Sequence, residues 1–242
     1  MSNTPKFLIL AVVLLAAGCA SDYSPHPSHS MAVSGGPAMA EAERALALAE
    51  GGDAGRGKLA FGVCSACHLP TGLGKRDGST PKLAGQHGTV LIRQITDIRG
   101  EIRKVPTMHG FVMELREPRD IADVAAYIES LCIPPGNGRY GLNDGEALVA
   151  EGRRLYAEDC ASCHQDKGQG DRAKGYSVLA GQHYRYLLRQ MEDIRDGYRT
   201  TGDPDKVKTF KKYRLEKLQS IAAYLASLET PGTACEPVQA RK

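Results

Sequence analysis

Two short segments of the chain combine cysteines with a histidine at a spacing that suits covalent attachment of haem. Each has the pattern Cys-x-x-Cys-His. Their members are Cys64, Cys67 and His68 in the first segment, and Cys160, Cys163 and His164 in the second. Two cysteines about one helical turn apart reach the two vinyl groups of a haem, and the histidine that follows places its imidazole on the iron.

Two other kinds of site use the same cysteine spacing. A zinc site needs a full set of cysteine or histidine ligands, and the seven cysteines of the chain are too few to complete two cysteine-rich sites. A redox dithiol gives no reason for a histidine at the next position in both segments. The residues therefore predict two covalently bound haems c, with His68 and His164 as axial ligands of the iron.

The sequence repeats itself across most of its length. The segment "LAGQH" occurs at residues 83–87 and again at 179–183, an offset of 96 that also separates the two Cys-x-x-Cys-His segments. Near the end of each copy, "IADVAAYIESL" at 121–131 matches "LQSIAAYLASL" at 218–228 with an offset of 97. Nearly equal offsets over such a length indicate two copies of one domain.

Within each copy the apolar residues recur at helical spacing. Ile121, Val124, Ile128 and Leu131 lie on one stripe of a predicted helix. No run alternates well enough to predict a strand, so we expect an all-α fold of two tandem domains with long intervening loops. A domain of this size has a thin core of its own, which a large buried cofactor would fill.

Composition and turn residues divide the chain into segments. They are an export signal at residues 1–19, a flexible tether at 20–40, the first domain at 41–133, a linker at 134–143 and the second domain at 144–242. The tether is rich in Ser, Pro, Gly and Ala, which cannot bury a core. The linker begins with adjacent prolines.

The first residues predict export and lipidation. A basic residue, Lys6, precedes an apolar run at residues 7–17 that is too short to span a bilayer stably. The segment "LLAAGC" resembles the lipobox of bacterial lipoproteins, whose cysteine is lipidated and becomes the mature N-terminus. This resemblance assigns the lipid to Cys19, and Ala20 after it favours the outer membrane. The alternative is an ordinary signal peptide with a chance cysteine.

The overall composition indicates a soluble globular protein of modest charge. Apolar residues make up 42% and charged residues 24% of the chain, and the formal net charge is +3. Basic residues are not concentrated at either end, so electrostatics gives no argument for nucleic acid as a partner.

Across residues 50–230 the chain resembles cytochrome c4, a two-domain, two-haem family of class I cytochromes c. The segments that carry the resemblance are "VCSACH" and "DCASCH", "KLAGQH" and "VLAGQH", "RQITDIRGEIRK" and "RQMEDIRDGYRT", and the two C-terminal "AAY" helices. The resemblance implies two tandem class I cytochrome c domains. It also implies that each iron has a histidine on one side and a methionine on the other.

In the first domain the resemblance implies Met108 as the second axial ligand. Met108 lies in "IRKVPTMHGFVMEL", between the Arg-rich segment and the last helix, where the family carries its methionine. A thioether is a soft ligand that favours ferrous iron and raises the potential. Met113 is an alternative if the loop register differs, and His109 would give a bis-histidine haem of lower potential. The remaining alternative is that Met108 only fills the core.

The second domain has no methionine at the matching place. Downstream of His164 the only methionine is Met191, which occupies the repeat position of Ile95, far upstream of the ligand loop. Another residue type must therefore be considered for the sixth ligand of the second haem.

A stretch of lysines lies where that ligand is expected. Carrying Met108 forward by the repeat offsets of 96 and 97 reaches residues 204–205. The resemblance places the methionine of related loops seven residues before a tyrosine such as Tyr213, and this count reaches Lys206. A neutral lysine amine can bind ferric iron. We therefore expect Lys206 as the sixth ligand, with Lys208 next. The alternative is a solvated basic loop over a five-coordinate or water-ligated haem.

Two cysteines remain after haem and lipid attachment. They are Cys132 and Cys235, each shortly after the last helix of its domain. Disulfides persist in exported proteins, so we expect a bridge that ties the end of the second domain to the linker. The rival is a thiolate ligand to iron, as in the similar thiosulfate dehydrogenases, although their ligand cysteine lies elsewhere in the chain.

Two further residue types recur at equal repeat positions. The resemblance implies that His87 and His183 pack or hydrogen-bond near the haem edges. Arg93 and Arg189 are candidate partners of the haem propionates, because guanidinium matches carboxylate geometry. Exposed helix charges are the alternative for both arginines.

Two covalent haems in tandem predict an electron carrier that exchanges single electrons with redox partner proteins of the respiratory chain or periplasm. The lipid would hold it on the periplasmic side of a bacterial membrane. The alternative is a dihaem oxidoreductase that acts at the second haem on a small sulfur anion, as a thiosulfate dehydrogenase does, or on peroxide. Nothing in the sequence resembles a separate substrate domain, which favours the carrier. A haem-based sensor or a subunit of a larger enzyme would have the same sequence features.

Overall fold

The structure is a computed structural model that describes residues 36–138, 145–199, 204–232 and 234–235. The regular elements among these residues are helices joined by loops, and the only extended pairings are two isolated bridges, Ile133 with Ala234 and Asp171 with Tyr176. The predicted all-α fold is confirmed for this part of the chain. None of the described helices is long and apolar enough to cross a membrane.

The start of the packed chain differs from the prediction. The export signal at 1–19, with Cys19, and most of the predicted tether at 20–40 lie outside the described residues. Helix α1 (Pro37–Ala49) begins inside that tether, with its proline in the first turn, where a missing backbone N–H costs little. Ala40 is buried against Gly100. The small residues that predicted a tether here instead allow α1 to pack closely against the end of α4.

Six described helices belong to the first domain. They are α1 (Pro37–Ala49), α2 (Ala54–Ala60), α3 (Gly62–His68), α4 (Gly88–Arg99), α5 (Pro106–Val112) and α6 (Pro118–Ser130). Their apolar faces share one core, to which Ile95 and Ile98 of α4 and Val124 of α6 belong. The apolar stripes of the sequence thus face inward, as their spacing predicts.

Five described helices belong to the second domain. They are α7 (Glu146–Asp159), α8 (Ala161–His164), α9 (Tyr184–Arg195), α10 (Pro204–Lys211) and α11 (Leu215–Ser227). A separate core forms here, with Leu187 and Met191 of α9 and Leu218 and Leu225 of α11. Each copy of the repeat therefore encloses its own apolar centre.

In each domain a glycine lets an early helix cross the last helix closely. A Cβ added at Gly57 of α2 would overlap the carbonyl oxygen of Asp123 in α6. In the same way, a Cβ at Gly152 of α7 would overlap the carbonyl oxygen of Ser220 in α11. The rings beside these crossings are Phe61 with Tyr127, at 5.3 Å between centroids, and Tyr156 with Tyr224, at 5.4 Å. Each crossing holds the following Cys-x-x-Cys-His segment against its domain.

A disulfide ties the end of the second domain to the exit from the first. Cys132 and Cys235 are bonded through their sulfur atoms. Beside the bond, the backbone N–H of Cys235 donates to the carbonyl oxygen of Ile133 at 3.2 Å. The predicted linker at 134–143 starts here and is described as far as residue 138.

Candidate functional site

The two Cys-x-x-Cys-His segments lie on single helical turns, and none of their cysteines takes part in a disulfide. The first segment forms the C-terminal end of α3. In the second segment Cys160 immediately precedes α8, and Cys163 and His164 lie within that helix. Cys64 packs on the first core and Cys160 on the second. Burial raises the pKa of Cys64 to about 11 and that of Cys160 to about 12. A redox dithiol relies on a lowered pKa instead, so this alternative loses support.

The zinc alternative also lacks a ligand set. Within the described ranges, no group of three or more His, Cys, Asp or Glu side chains is arranged to hold a metal ion. A zinc ion therefore finds no complete set of ligands in this part of the chain.

Both histidines are held with one ring nitrogen left for a metal. Nδ1–H of His68 donates to the carbonyl oxygen of Pro81 at 3.0 Å, and Nδ1–H of His164 donates to that of Ser177 at 2.9 Å. A carbonyl oxygen can only accept, so Nε2 keeps its lone pair in both rings. Burial lowers the pKa of both imidazoles, which favours the neutral form that binds metal. The two rings therefore fit axial ligation of a haem iron.

The backbone after each histidine turns in the same way. Leu69 and Gln165 follow the two histidines and have positive φ angles of 65° and 63°. Beyond this turn, the N–H of Gly74 donates to the carbonyl oxygen of His68, and the N–H of Gly170 to that of His164, both at 3.0 Å. These bonds close the loop over each histidine and fix its position.

Of the candidate sixth ligands in the first domain, Met108 packs deepest. It lies on α5, half-buried against the first core. Met113 is exposed, and Nε2 of His109 lies 3.9 Å from a carboxylate oxygen of Glu101. Packing thus favours Met108, and its ligation of iron stays a prediction.

The two candidate lysines of the second domain point to different surroundings. Nζ of Lys206 lies 5.7 Å from the centroid of the Tyr176 ring, and this ring lies 6.1 Å from the ring of His164. Lys208 is exposed and pairs with Asp205 at 3.0 Å. Of the two, Lys206 is therefore the lysine that lies against the ring next to the second histidine.

The repeated "LAGQH" segments join the two domains. The side-chain amide of Gln86 donates to the carbonyl oxygen of Val178 at 3.0 Å, and its Oε1 accepts from the N–H of Val178 at 2.9 Å. Gln182 bonds the backbone of Lys82 in the same two ways, at 2.8 and 2.9 Å. Residues 82 and 178 occupy the same repeat position. The contacts are therefore reciprocal.

His87 and His183 belong to the same interface. Nε2–H of His87 donates to the carbonyl oxygen of Gln169 at 2.9 Å, and Nε2–H of His183 donates to that of Leu73 at 2.8 Å. Each accepting residue lies in the loop that follows the Cys-x-x-Cys-His segment of the other domain. Both imidazoles therefore hydrogen-bond across the interface to backbone groups, and their place at the haem edges stays a prediction.

A second reciprocal cluster joins helices α4 and α9 and the turns after them. Nη2–H of Arg103 donates to Oε1 of Gln190 at 2.9 Å, and Nη2–H of Arg199 donates to Oε1 of Gln94 at 3.3 Å. Burial lowers the pKa of Arg199 to about 10, and the charge of Arg103 lowers it further. Sequence reasoning missed these residues, although their repetition at one offset was a signal for them.

The candidate propionate partners also lie in this region. Arg189 donates to the carbonyl oxygen of Gly78, in the other domain, at 2.9 Å. Burial lowers the pKa of Arg93, and the charge of Asp97 opposes that shift. Arg93 is partly buried and Arg189 is exposed, and guanidinium groups of this kind match carboxylate geometry. Their pairing with haem propionates stays a prediction.

A family model described as cytochrome c matches residues 54–132 and again residues 149–229. The chain belongs to the cytochrome c family. Each match contains one Cys-x-x-Cys-His segment, so the predicted tandem of cytochrome c domains is confirmed.

Individual relatives point to a two-haem member of this family. Cytochrome c4 of Pseudomonas aeruginosa is 36% identical over 182 residues, which cover 73% of this chain and 83% of the relative. The crystal structure of reduced cytochrome c4 from Pseudomonas stutzeri matches with a TM-score of 0.62 and 28% identity, covering 73% of this chain and 99% of that one. A thiosulfate dehydrogenase electron acceptor of Stutzerimonas stutzeri is 26% identical, covering 69% of this chain and 79% of the relative.

These matches establish the cofactors. This cytochrome c carries two covalently bound haems c, and its two cysteine pairs fit the haem-binding motif. It transfers electrons and works with redox partners. The predicted family resemblance is confirmed as well.

One position of the cytochrome c interface differs between the copies. Lys82 stands where the second domain has Val178. Its buried Nζ donates to the carbonyl oxygen of Ala180 at 3.3 Å and to the hydroxyl of Thr230. Burial lowers the pKa of Lys82 to about 7, and the charge of Glu229 opposes that shift.

We expect Lys82→Met to stabilise the protein at neutral pH. The folded-state pKa of about 7 lies below the ordinary 10.5, so stability is greatest above pH 10.5 and falls as the pH drops towards 7. Methionine removes the free-energy cost of burying the lysine amine but also loses the amine's hydrogen bonds. The free energy of unfolding should therefore rise by about 2 kcal/mol. Thermal unfolding across this pH range measures the effect.

The exposed Lys58 provides a matched control for this substitution. Lys58→Met should leave the pH dependence of unfolding as it is in the unaltered protein. If the stability of Lys82→Met depends on pH as that of the unaltered protein does, the lowered pKa assigned to Lys82 is wrong.

Proposed function

We propose that this dihaem cytochrome c is a periplasmic electron carrier, held on a bacterial membrane by a lipid at Cys19. The observation that carries the proposal is the reciprocal bonding of the two haem-binding loops, His87 to Gln169 and His183 to Leu73. Each loop is hydrogen-bonded to the other domain, so the two haem-binding segments keep a fixed separation. A fixed separation suits the passage of single electrons between two sites.

The chain supplies attachment, orientation and burial for its cofactors. Each haem supplies reversible one-electron chemistry at its iron. The attaching residues in this proposal are Cys64 and Cys67 in the first domain and Cys160 and Cys163 in the second. His68 and Met108 would hold the first iron, and His164 would hold the second. The Nδ1–H bonds of the two histidines keep their rings oriented for this role.

The anchor rests on the lipobox-like segment before Cys19. Lipidation there would make Cys19 the first residue of the mature chain, and several acyl chains on one cysteine anchor firmly. Ala20 favours the outer membrane. Mass spectrometry of the mature protein tests this part of the proposal: an unmodified Cys19, or cleavage at another residue, would remove the anchor.

The relatives favour a carrier over a dehydrogenase. One relative is named an electron acceptor of thiosulfate dehydrogenase, so its name describes a protein that accepts electrons from the enzyme. We infer that the partners of this chain are likewise redox proteins of the periplasm or of the membrane that borders it. The oxidoreductase alternative, with thiosulfate or peroxide reacting at the second haem, has no comparable support in the described residues.

The purified protein should take up and return single electrons without consuming a small substrate. Anaerobic reductive titration measures the uptake. Optical spectra of the reduced protein with and without carbon monoxide then show whether either iron takes an added ligand readily. Rapid carbon monoxide binding at one haem, together with turnover of thiosulfate or peroxide, would replace the carrier with the oxidoreductase.

A further inference from the structure

Helix α10 of the second domain takes the place of α5 in the first. Each lies between the Arg-rich helix of its domain and the last helix, and each begins at a proline, Pro106 or Pro204. Met108 is the third residue of α5, and Lys206 is the third residue of α10. Aligned by their first residues, the two helices therefore match Lys206 with Met108.

The core contacts support the same alignment. Val112 is the seventh residue of α5 and belongs to the first core, and Phe210 is the seventh residue of α10 and packs on the second core. The third and seventh residues of a helix lie on one face. Lys206 therefore shares the face of Phe210, as Met108 shares the face of Val112.

The surroundings of Lys206 place its amine against Tyr176, a neighbour of the second haem-binding histidine. Its Nζ lies 5.7 Å from the ring centroid of Tyr176, which in turn packs 6.1 Å from the ring of His164. Lys208 faces outward to Asp205.

A methionine does not occupy this place. Met191, the only methionine after His164, is buried in the second core on α9. We propose that Lys206 is the sixth ligand of the second haem iron. This inference rests on the proposed carrier function, in which His164 is the ligand on the other side.

The sixth ligands of the two haems then differ, because a lysine amine is a harder donor than a methionine thioether. To hold the iron, Lys206 would give its ammonium proton to solvent and offer the lone pair of Nζ. An amine favours ferric iron more than the thioether of Met108 does. The second site therefore has the lower reduction potential, and electrons within the chain run from the second domain to the first.

Three variants test the assignment on the complete haem-loaded protein. They are Lys206→Ala, Lys206→Met and, as the matched control on the same helix, Lys208→Ala. The ferric optical and electron paramagnetic resonance spectra report the ligand, and a redox titration reports the potentials. The unaltered protein should show two separated reduction steps. Lys206→Ala should convert the second ferric haem to a high-spin or water-ligated form, and Lys206→Met should raise the lower step towards the upper one.

The controls separate failure of this ligand from failure of the carrier. Lys208→Ala should keep the spectra and both potentials of the unaltered protein; if it changes them as Lys206→Ala does, Lys206 is not the specific ligand. Unchanged spectra and potentials in Lys206→Ala, with both haems retained, would overturn the ligand and leave the carrier standing. Turnover of thiosulfate by the unaltered protein would overturn the carrier instead. Lys206→Met keeps a side chain of similar length, so it still tests the ligand if Lys206→Ala fails to fold.

Discussion

The double variant Cys64→Ala/Cys67→Ala is expected to lose half of the covalent haem. Each Cys-x-x-Cys-His segment lies in its own domain on its own core, so attachment at one does not depend on the thiols of the other. The first domain should lose its cofactor and with it much of its thin core. The pyridine haemochrome assay, set against protein concentration, should therefore fall from two haems per chain to one.

Two matched variants complete this experiment. Replacing Cys160 and Cys163 should give the same halved ratio through loss of the second haem. Replacing Cys132 and Cys235, which are bonded to each other, should keep both haems. Full haem content after loss of Cys64 and Cys67 would contradict the assignment of the first segment, and loss of both haems would contradict the independence of the two sites.

Gly57→Ala should destabilise the first domain strongly. The new Cβ would overlap the carbonyl oxygen of Asp123 and lie 2.9 Å from Cβ of Tyr127. Because both helices meet through their backbones here, a flexible side chain cannot move aside to relieve the overlap. We expect a loss of about 3 kcal/mol or more, which corresponds to about 10 °C in Tm. Thermal unfolding followed by circular dichroism and by haem absorbance measures it.

Gly62→Ala is the control for this substitution. Gly62 lies in the first turn of α3, and a Cβ added there meets nothing within 4 Å. Alanine should leave stability within about 1 kcal/mol of the unaltered protein, on the stabilising side, because it lowers the backbone entropy of the unfolded chain. Equal Tm values for the Gly57 and Gly62 variants would show that the α2–α6 crossing is not as close as described.

The cofactors and the fold class could be predicted because they depend on local pattern. The spacing of Cys64, Cys67 and His68 specifies the attachment chemistry without knowledge of the rest of the chain. The helical period of the stripe around Val124 and Ile128 predicts burial, and both residues lie in the first core. The repeat offset then extends both results to the second domain.

The interface could not be predicted from the same patterns. The segment "LAGQH" recurs unchanged, but a repeated motif does not reveal whether it bonds its own domain or the other one. Gln86 and Gln182 bond the other domain. Loop length hid the matching ligand position in a similar way. Met108 and Lys206 are offset by 98, whereas the repeated segments are offset by 96 or 97. The proline at the start of each helix, visible only once α5 and α10 are placed, supplies the alignment.

The crosswise glutamine bonds have a consequence for the origin of the molecule. When residue 86 bonds residue 178 and residue 182 bonds residue 82, the interface obeys an approximate two-fold axis, as in a homodimer that uses one surface twice. Two identical single-domain ancestors could form such a contact with each other before their genes were fused. The fusion would then have needed a connecting segment and no new binding surface. Lys82 opposite Val178 marks a place where the fused halves, no longer obliged to be identical, have diverged.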